Sequence, residues 1–236
     1  MAKNFQDDDT NTVFFDLMTG LMFIFVIALV AYMLNFNDKH SNEMKLQSQL
    51  KDVNYLTSNL VQQVSRELKR YNIPHTPLYK EGVVRLSAPV LSFDSGSYQL
   101  NSEQTQYYTV VSRILNNTLT CYSEKTLSKG CRGDEAGVIE SVVIEGHTDN
   151  IPFRGDESAG IRDNRDLSYQ RARSVYNLFV SQTDAESLKN RNNLSLLQVA
   201  GYGESRPLSG EQSSRAKSED RRIDVRFVFA KPWVAG

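Results

Sequence analysis

Two sets of residues in this sequence stand where they could do chemistry. The first is a lone carboxylate, Asp16, which is the only charged residue between Val13 and Leu34. A carboxylate at the centre of a bilayer costs about 2.5–3.5 kcal/mol on insertion scales, so by default it marks a function such as ion transfer. If Asp16 instead sits at the interface, Leu17 to Leu34 would still be about long enough to cross, and position alone leaves both readings open. Thr19 shares the helical face of Asp16 and is placed to hydrogen-bond it or a passing ion. Burial in a low-dielectric slot favours the neutral acid, which raises proton affinity towards the physiological range.

The second set lies in the C-terminal half, in short polar motifs. Glu145-Gly-His-Thr-Asp-Asn150 ends a predicted strand, Asn164-Arg-Asp-Leu-Ser-Tyr-Gln-Arg171-Ala opens a predicted helix, and Gly201-Tyr-Gly-Glu-Ser-Arg-Pro207 follows another strand. Asp149 can accept from an ammonium, and the Arg171 fork can bind a carboxylate bidentately. Taken singly, Asp149 would serve as well to cap a turn and Arg171 as an exposed helical charge. His147 reads as a structural hydrogen-bonder of its loop. No nucleophile stands with a base and no metal-ligand set occurs, since His40, His75 and His147 are scattered and there is no CxxC. The expectation is a protein that is not an enzyme and holds no metal or cofactor. With 27 basic and 28 acidic residues, a net charge of -1 gives no basic excess for nucleic acid. Cys121 and Cys131 flank a Ser/Lys/Gly-rich stretch; they would form a disulfide in an oxidising compartment and two free thiols in a reducing one.

These residues need elements to position them. Val13 to Leu34 is apolar on all sides, and about 20 helical residues cross a bilayer core, so the spacing predicts a transmembrane helix over 13–35 after a tail at 1–12. A cleaved signal peptide fits less well, because the preceding residues are acidic and no small-residue cleavage pattern follows. Lys3 before the span and Lys39 and Lys45 after it leave the charge rule for orientation uninformative. Residues 36–77 read as a helical linker. Leu46, Leu50, Val53, Leu60, Val64 and Leu68 recur at helical steps, giving a narrow seam suited to pairing with a second copy or to packing on the chain's own domain. Pro74 and Pro77 close that linker. Over 78–236, short strands at Gly82 to Ser87, Val90 to Phe93, Val138 to Glu145, Leu194 to Ala200 and Ile223 to Phe229 alternate with helices at Ser102 to Asn117, capped by Ser102, and Asp166 to Val180. The predicted class is α+β, an α/β sandwich with a mixed sheet and helices on one face.

The C-terminal motifs, with Phe93-Asp-Ser-Gly-Ser97 and Asp220-Arg-Arg222, resemble in order and spacing the OmpA-like peptidoglycan-binding domain. That resemblance implies that Asp149 and Arg171 hold diaminopimelate of the wall's stem peptide, with Thr148, Asn164 and Leu167 at neighbouring pocket positions. Arg221 matches an arginine of the family's Asn-Arg-Arg motif, but Asp220 replaces the usual Asn, and no direct contact is expected of Arg221. Phe15-Asp-Leu-Met-Thr-Gly-Leu-Met22 resembles the membrane signature of the MotB family, with Phe15 in place of the usual small residue. This implies that Asp16 carries protons, with Thr19 supporting the ion path, inside a ring of MotA- or ZorA-type subunits. It also implies a homodimer in a bacterial inner membrane, N-terminus cytoplasmic and C-terminal domain periplasmic. The short acidic N-terminus, the heptad-like linker and the cysteine-bracketed insertion resemble the ZorB subunits of Zorya anti-phage systems more than flagellar stator B subunits. A passive membrane-to-wall tether is the rival expectation, and an ExbD-like transport accessory ranks last because it would lack the C-terminal motifs.

Overall fold

A computed structural model describes residues 6–87, 89–123, 139–156, 160–211 and 213–230. The chain divides into two units, Met1–Lys51 and Asp52–Gly236. The first unit is helical throughout its described residues and belongs to a long helix, α1 (Gln6–Arg70). Its apolar segment is long and apolar enough to cross a membrane, and its side chains from Val13 to Leu34 are exposed in the isolated chain. The Thr19 hydroxyl donates to the Phe15 carbonyl at 2.7 Å. Its proton is thus spent on the helix's own backbone and not on Asp16, although its oxygen can still accept.

The second unit begins with the last turns of α1. Beyond them lie β1 (Thr76–Leu78), β2 (Val83–Leu86), α2 (Ser102–Leu119), β3 (Ile139–Gly146), α3 (Asn164–Gln182), β4 (Leu197–Gly201), α4 (Ser214–Asp220) and β5 (Ile223–Phe229). The five strands form one mixed sheet in the order β1-β2-β5-β3-β4, in which only β3 and β4 run parallel. A parallel pair needs a crossover, and α3 supplies it. The mixed sheet with helices on one face is the α/β architecture expected from the strand-helix alternation. Pro77, which cannot donate to a ladder, lies in the edge strand β1, where its missing N–H costs least.

The core sits between the sheet and the helices. Val84, Leu86, Val142, Ile144, Ile223, Val225 and Phe227 pack there with Val111, Ile114, Leu115 and Leu119 of α2 and Ala172, Val175 and Phe179 of α3. Alternation along each strand sends the intervening residues to the opposite face. There Arg85, Asp224 and Glu145 are direct cross-strand neighbours on β2, β5 and β3.

Several sequence expectations change. The stripe read as a dimer seam is divided. Leu60, Val64 and Leu68 are fully buried in the core of their own domain, while Leu46 and Leu50 remain exposed. The compact unit therefore starts at Asp52, within the segment assigned to the linker at 36–77. Val90 to Phe93 is not a strand, because a short 3-10 turn at Pro89–Leu91 occupies it. The cap of α2 is Asn101, not Ser102: its side chain accepts from the Gln104 N–H, and the Gln104 side chain accepts from the Asn101 N–H. Cys121 is disulfide-bonded, whereas Cys131 lies outside the described residues.

Candidate functional site

The C-terminal motifs converge where α3 starts against the ends of β3 and β4. Two glycines make that approach feasible. Gly146 and Gly201 are register partners at the ends of the parallel pair. A Cβ on Gly146 would lie 1.9 Å from the Ser168 carbonyl oxygen, and one on Gly201 would lie 2.6 Å from the Tyr169 nitrogen. Neither is tolerable, so glycine is what lets the backbone of α3 lie on the strand ends. The Ser168 hydroxyl accepts from the Gly203 N–H at 2.8 Å, and Thr148 N–H donates to the Gly203 carbonyl at 3.0 Å. The loop after β3 is thereby tied to the loop after β4.

Helix α3 is capped by Asp163, whose carboxylate accepts from the N–H groups of Arg165 and Asp166. Asn164, the next residue, points back into the site. Its amide donates to the Ile151 carbonyl at 3.1 Å and accepts from the Phe153 N–H at 3.2 Å. Asn164 thus fixes the 151–153 loop beside Asp149. Leu167 is buried one turn along α3. Thr148 is buried too, and its hydroxyl oxygen has no hydrogen-bond partner.

Asp149 is only 5% exposed. One of its carboxylate oxygens accepts from the Ile151 N–H at 3.2 Å, and the other pairs with Arg221 Nη1 at 2.7 Å. Arg221 also donates through Nε to the Phe93 carbonyl at 2.8 Å. Arg221 thus pairs with Asp149 directly, and the Asp220 that replaces the family's usual Asn does not prevent it. Asp220 serves elsewhere, accepting from the Leu208 N–H at 2.7 Å. The adjacent basic pair was the available signal, because residues next to each other at a strand start face opposite sides.

Arg171 is 1% exposed and lies 5.3 Å above the Phe93 ring. It donates to three backbone carbonyls, those of Ser97 at 2.8 Å, Asp94 at 3.0 Å and His147 at 3.2 Å. Burial pushes its pKa down to about 10, opposed first by the charge of Asp149. It therefore stays a cation at neutral pH while stitching the Phe93-to-Ser97 loop to the end of β3. Of five guanidinium N–H groups, three are used and two stay free. The alternative of an exposed helical charge on α3 does not hold for Arg171. The structure brings Asp149, Arg171, Thr148, Asn164 and Leu167 into one neighbourhood and adds Arg221.

A second cluster occupies the sheet's other face. The Glu145 carboxylate, 1% exposed, is gripped in two places by Arg226, Nε–Oε1 at 2.6 Å and Nη2–Oε2 at 3.0 Å. Asp224 pairs with Arg85 at 3.1 Å and Arg222 at 3.2 Å. His147 lies 3.6 Å from Asp224 and stacks on Tyr202. Ligand atoms of Glu145, His147 and Asp224 all lie within 4.8 Å of one another, the spacing of a metal site. The donor set is nevertheless wrong for a cation. Both carboxylates are already bracketed by guanidiniums, so a divalent ion would have to displace them and sit among uncompensated positive charges. Burial, then the charge of Arg222, pushes the His147 pKa down to about 3. His147 is consequently neutral at physiological pH.

Fold and site together define an open-faced mixed-sheet domain carrying a guanidinium-flanked aspartate, joined to one long apolar helix. Residues 92–221, more than half of the chain, match the OmpA family, and the chain belongs to it. It is 22% identical over 170 residues to Motility protein B of Bacillus subtilis, covering 71% of this chain and 54% of that protein. It is 35% identical over 103 residues to the outer-membrane lipoprotein YfiB of Pseudomonas aeruginosa, covering 44% of this chain and 52% of that one. The chain thus spans about half the length of the curated relatives it matches. Among solved structures it superposes on a MotB-like protein from Desulfovibrio vulgaris with a TM-score of 0.50 at 18% identity, covering 78% of this chain and 99% of that one. At that identity the likeness concerns the fold.

Proposed function

We propose that this chain is the wall-anchored B-type subunit of an ion-driven inner-membrane motor. In this reading the OmpA-type domain lies in the periplasm and holds peptidoglycan, the apolar helix crosses the membrane with its N-terminus in the cytoplasm, and Asp16 carries protons. A pair of such helices stands inside a ring of MotA- or ZorA-type subunits, and each proton that crosses delivers about 2.3 kcal/mol per 100 mV of potential.

The observation that carries the wall-binding part is the grouping of Asp149 with Arg221 and Arg171 at the end of β3. Diaminopimelate ends in an ammonium and a carboxylate. Asp149 offers acceptor lone pairs to the first, and the free N–H groups of the two guanidiniums suit the second. Arg221, at 17% side-chain exposure, is the more accessible cation, and Arg171 holds the loops that shape the pocket. Asn164, Thr148 and Leu167 complete its wall. Among motors of this type, the ZorB subunit of Zorya defence is the favoured identity, on the acidic residues Asp7, Asp8 and Asp9 ahead of the apolar segment and the cysteine-bracketed insertion; a disulfide between Cys121 and Cys131 would close that insertion. A flagellar stator B subunit is the alternative.

A passive tether keeps the wall site and drops the ion role. The similarity to a lipoprotein across the OmpA-type domain favours keeping that reading in view, since the domain by itself does not imply a motor. Co-sedimentation of the full chain, in detergent, with purified sacculi tests the anchor. Asp149→Asn keeps the acceptor for Ile151 and removes the charge. It should weaken binding by at least about tenfold, the cost expected when one charge-assisted bond is lost. Wild-type binding in that variant would overturn the site.

A further inference from the structure

The open face of the sheet holds a cleft of about 730 Å³ lined by Arg85, Glu145, His147, Tyr202, Arg206, Arg222, Asp224 and Arg226, with exposed Glu81 among the lining residues. Four guanidiniums meet two buried carboxylates on the sheet face, each already bracketed: Glu145 by Arg226 and, at 3.9 Å, by Arg206; Asp224 by Arg85 and Arg222; Asp220, 3.8 Å from Arg222, and exposed Glu81 balance the remaining charge. Two donors are left over. Arg222 is 2% exposed, and its Nη1 has no hydrogen bond, the nearest carboxylate being Asp220 at 3.8 Å. His147 is 1% exposed, and neither ring nitrogen has a hydrogen-bond partner. A buried donor without an acceptor is costly and rare, and two in one cleft call for a ligand that accepts.

We infer that this cleft is an oxyanion-binding site, built to take a carboxylate or phosphate group, separate from the wall-binding pocket. Arg206 is the side chain that admits the ligand. It is 48% exposed and lies flat over the Tyr202 ring at 3.7 Å, which orients its fork without using up its N–H groups. Arg85 and Arg226 are partly exposed, each with N–H groups to spare. A phosphate lodged there accepts from Arg206, from the idle Arg222 Nη1 and from the N–H of the neutral His147 ring. The two sites share backbone but point apart. His147 and Arg222 serve the cleft, while Asp149 and Arg221, two residues and one residue away, serve the other side of the strand ends.

The test is titration of inorganic phosphate into the full chain held in nanodiscs of zwitterionic lipid, followed by the 15N signals of the histidine rings. The His147 signal is assigned by its loss in His147→Gln. A saturable shift of that signal is expected, weakened at least tenfold in Arg206→Ala and largely restored in Arg206→Lys. The Arg206 variants are chosen because that side chain is half exposed and carries no core packing. No saturable shift, or the same affinity in Arg206→Ala, overturns the site and makes the cluster a purely structural network. The same shift in nanodiscs of phosphatidylglycerol without phosphate supports the site and identifies a lipid headgroup as the source of the group. No wall material is present, so the result does not depend on the peptidoglycan reading.

Discussion

The two stretches of α1 carry the same kind of apolar stripe and meet opposite fates. In Asp52–Arg70, Leu60, Val61, Val64 and Leu68 are fully buried as part of the domain core. In the stretch before it, Leu46 and Leu50 are 45% and 48% exposed, and every side chain from Val13 to Leu34 is exposed in the isolated chain. Helical spacing specifies that a stripe exists; it does not specify what covers it. For the second stretch the cover is intramolecular and its contribution is folding energy. For the first, the isolated chain supplies no cover to its described side chains, and their contribution to folding is correspondingly small. Substitutions in the two stretches should accordingly fail in different assays.

The largest contrast is expected at Asp16. On the motor reading, Asp16→Asn abolishes ion-dependent function altogether while leaving the amount of inserted protein and the thermal unfolding of the domain unchanged. On the tether reading, even Asp16→Leu is harmless in every assay. Undiminished function in Asp16→Asn would remove the motor role and leave the domain's family membership untouched. Next in size is Leu68→Ala. A fully buried leucine costs about 2–5 kcal/mol when truncated, through lost transfer energy and the cavity left behind. Urea unfolding of the full chain followed by near-ultraviolet signals of the domain measures it. A loss below about 0.5 kcal/mol would mean that the end of α1 is not part of the core.

What the sequence made legible follows from range. The sheet strands β2, β3 and β5 and the helices α2 and α3 were readable because alternation and 3.6-residue periodicity are local. Strand β5 was read to its ends, since Ile223 to Phe229 alternates apolar and charged throughout. Asp149, Arg171, Thr148, Asn164 and Leu167 were singled out through ordered motifs, not through chemistry visible in any one of them. The pairing of Arg221 with Asp149 was not readable because it spans 72 positions. The fate of Leu60 and Leu68 was undecided for the same reason. The charged ladder of Arg85, Asp224 and Glu145 was invisible, since no single strand reveals which residues become cross-strand neighbours.

At neutral pH a smaller effect, one that grows as the pH falls, should come from His147, which sits between the two sides of the strand ends. Its pKa falls from an ordinary 6.5 in the unfolded chain to about 3 in the folded domain. The unfolded state therefore binds the extra proton throughout that window. The contribution is complete above pH 6.5 and drains as pH falls towards 3, at up to about 1.4 kcal/mol per pH unit. His147→Gln should flatten this segment of the stability-versus-pH curve, while Leu68→Ala should lower the curve without changing its slope. Equal slopes in His147→Gln and the parent chain would mean that the ring is hydrated and titrates normally.

The smallest effect on folding, and the one that sharpens the contrast within α1 most, belongs to Leu50→Ala. Truncating an exposed helical leucine to alanine should leave domain unfolding within about 0.5 kcal/mol, because no core contact is lost and alanine is the better helix former. If Leu46 and Leu50 instead pack against a second copy, the loss appears in self-association. Sedimentation of the chain in detergent should then show a weaker dimer for Leu46→Ala/Leu50→Ala, whereas Leu68→Ala disturbs the dimer only as far as it unfolds the domain. A double variant that unfolds as the parent does but dimerises less assigns this stretch of α1 to assembly. One that leaves both measurements unchanged means that the stripe before Lys51 contacts no second copy, and pairing would then have to reside in the apolar segment itself.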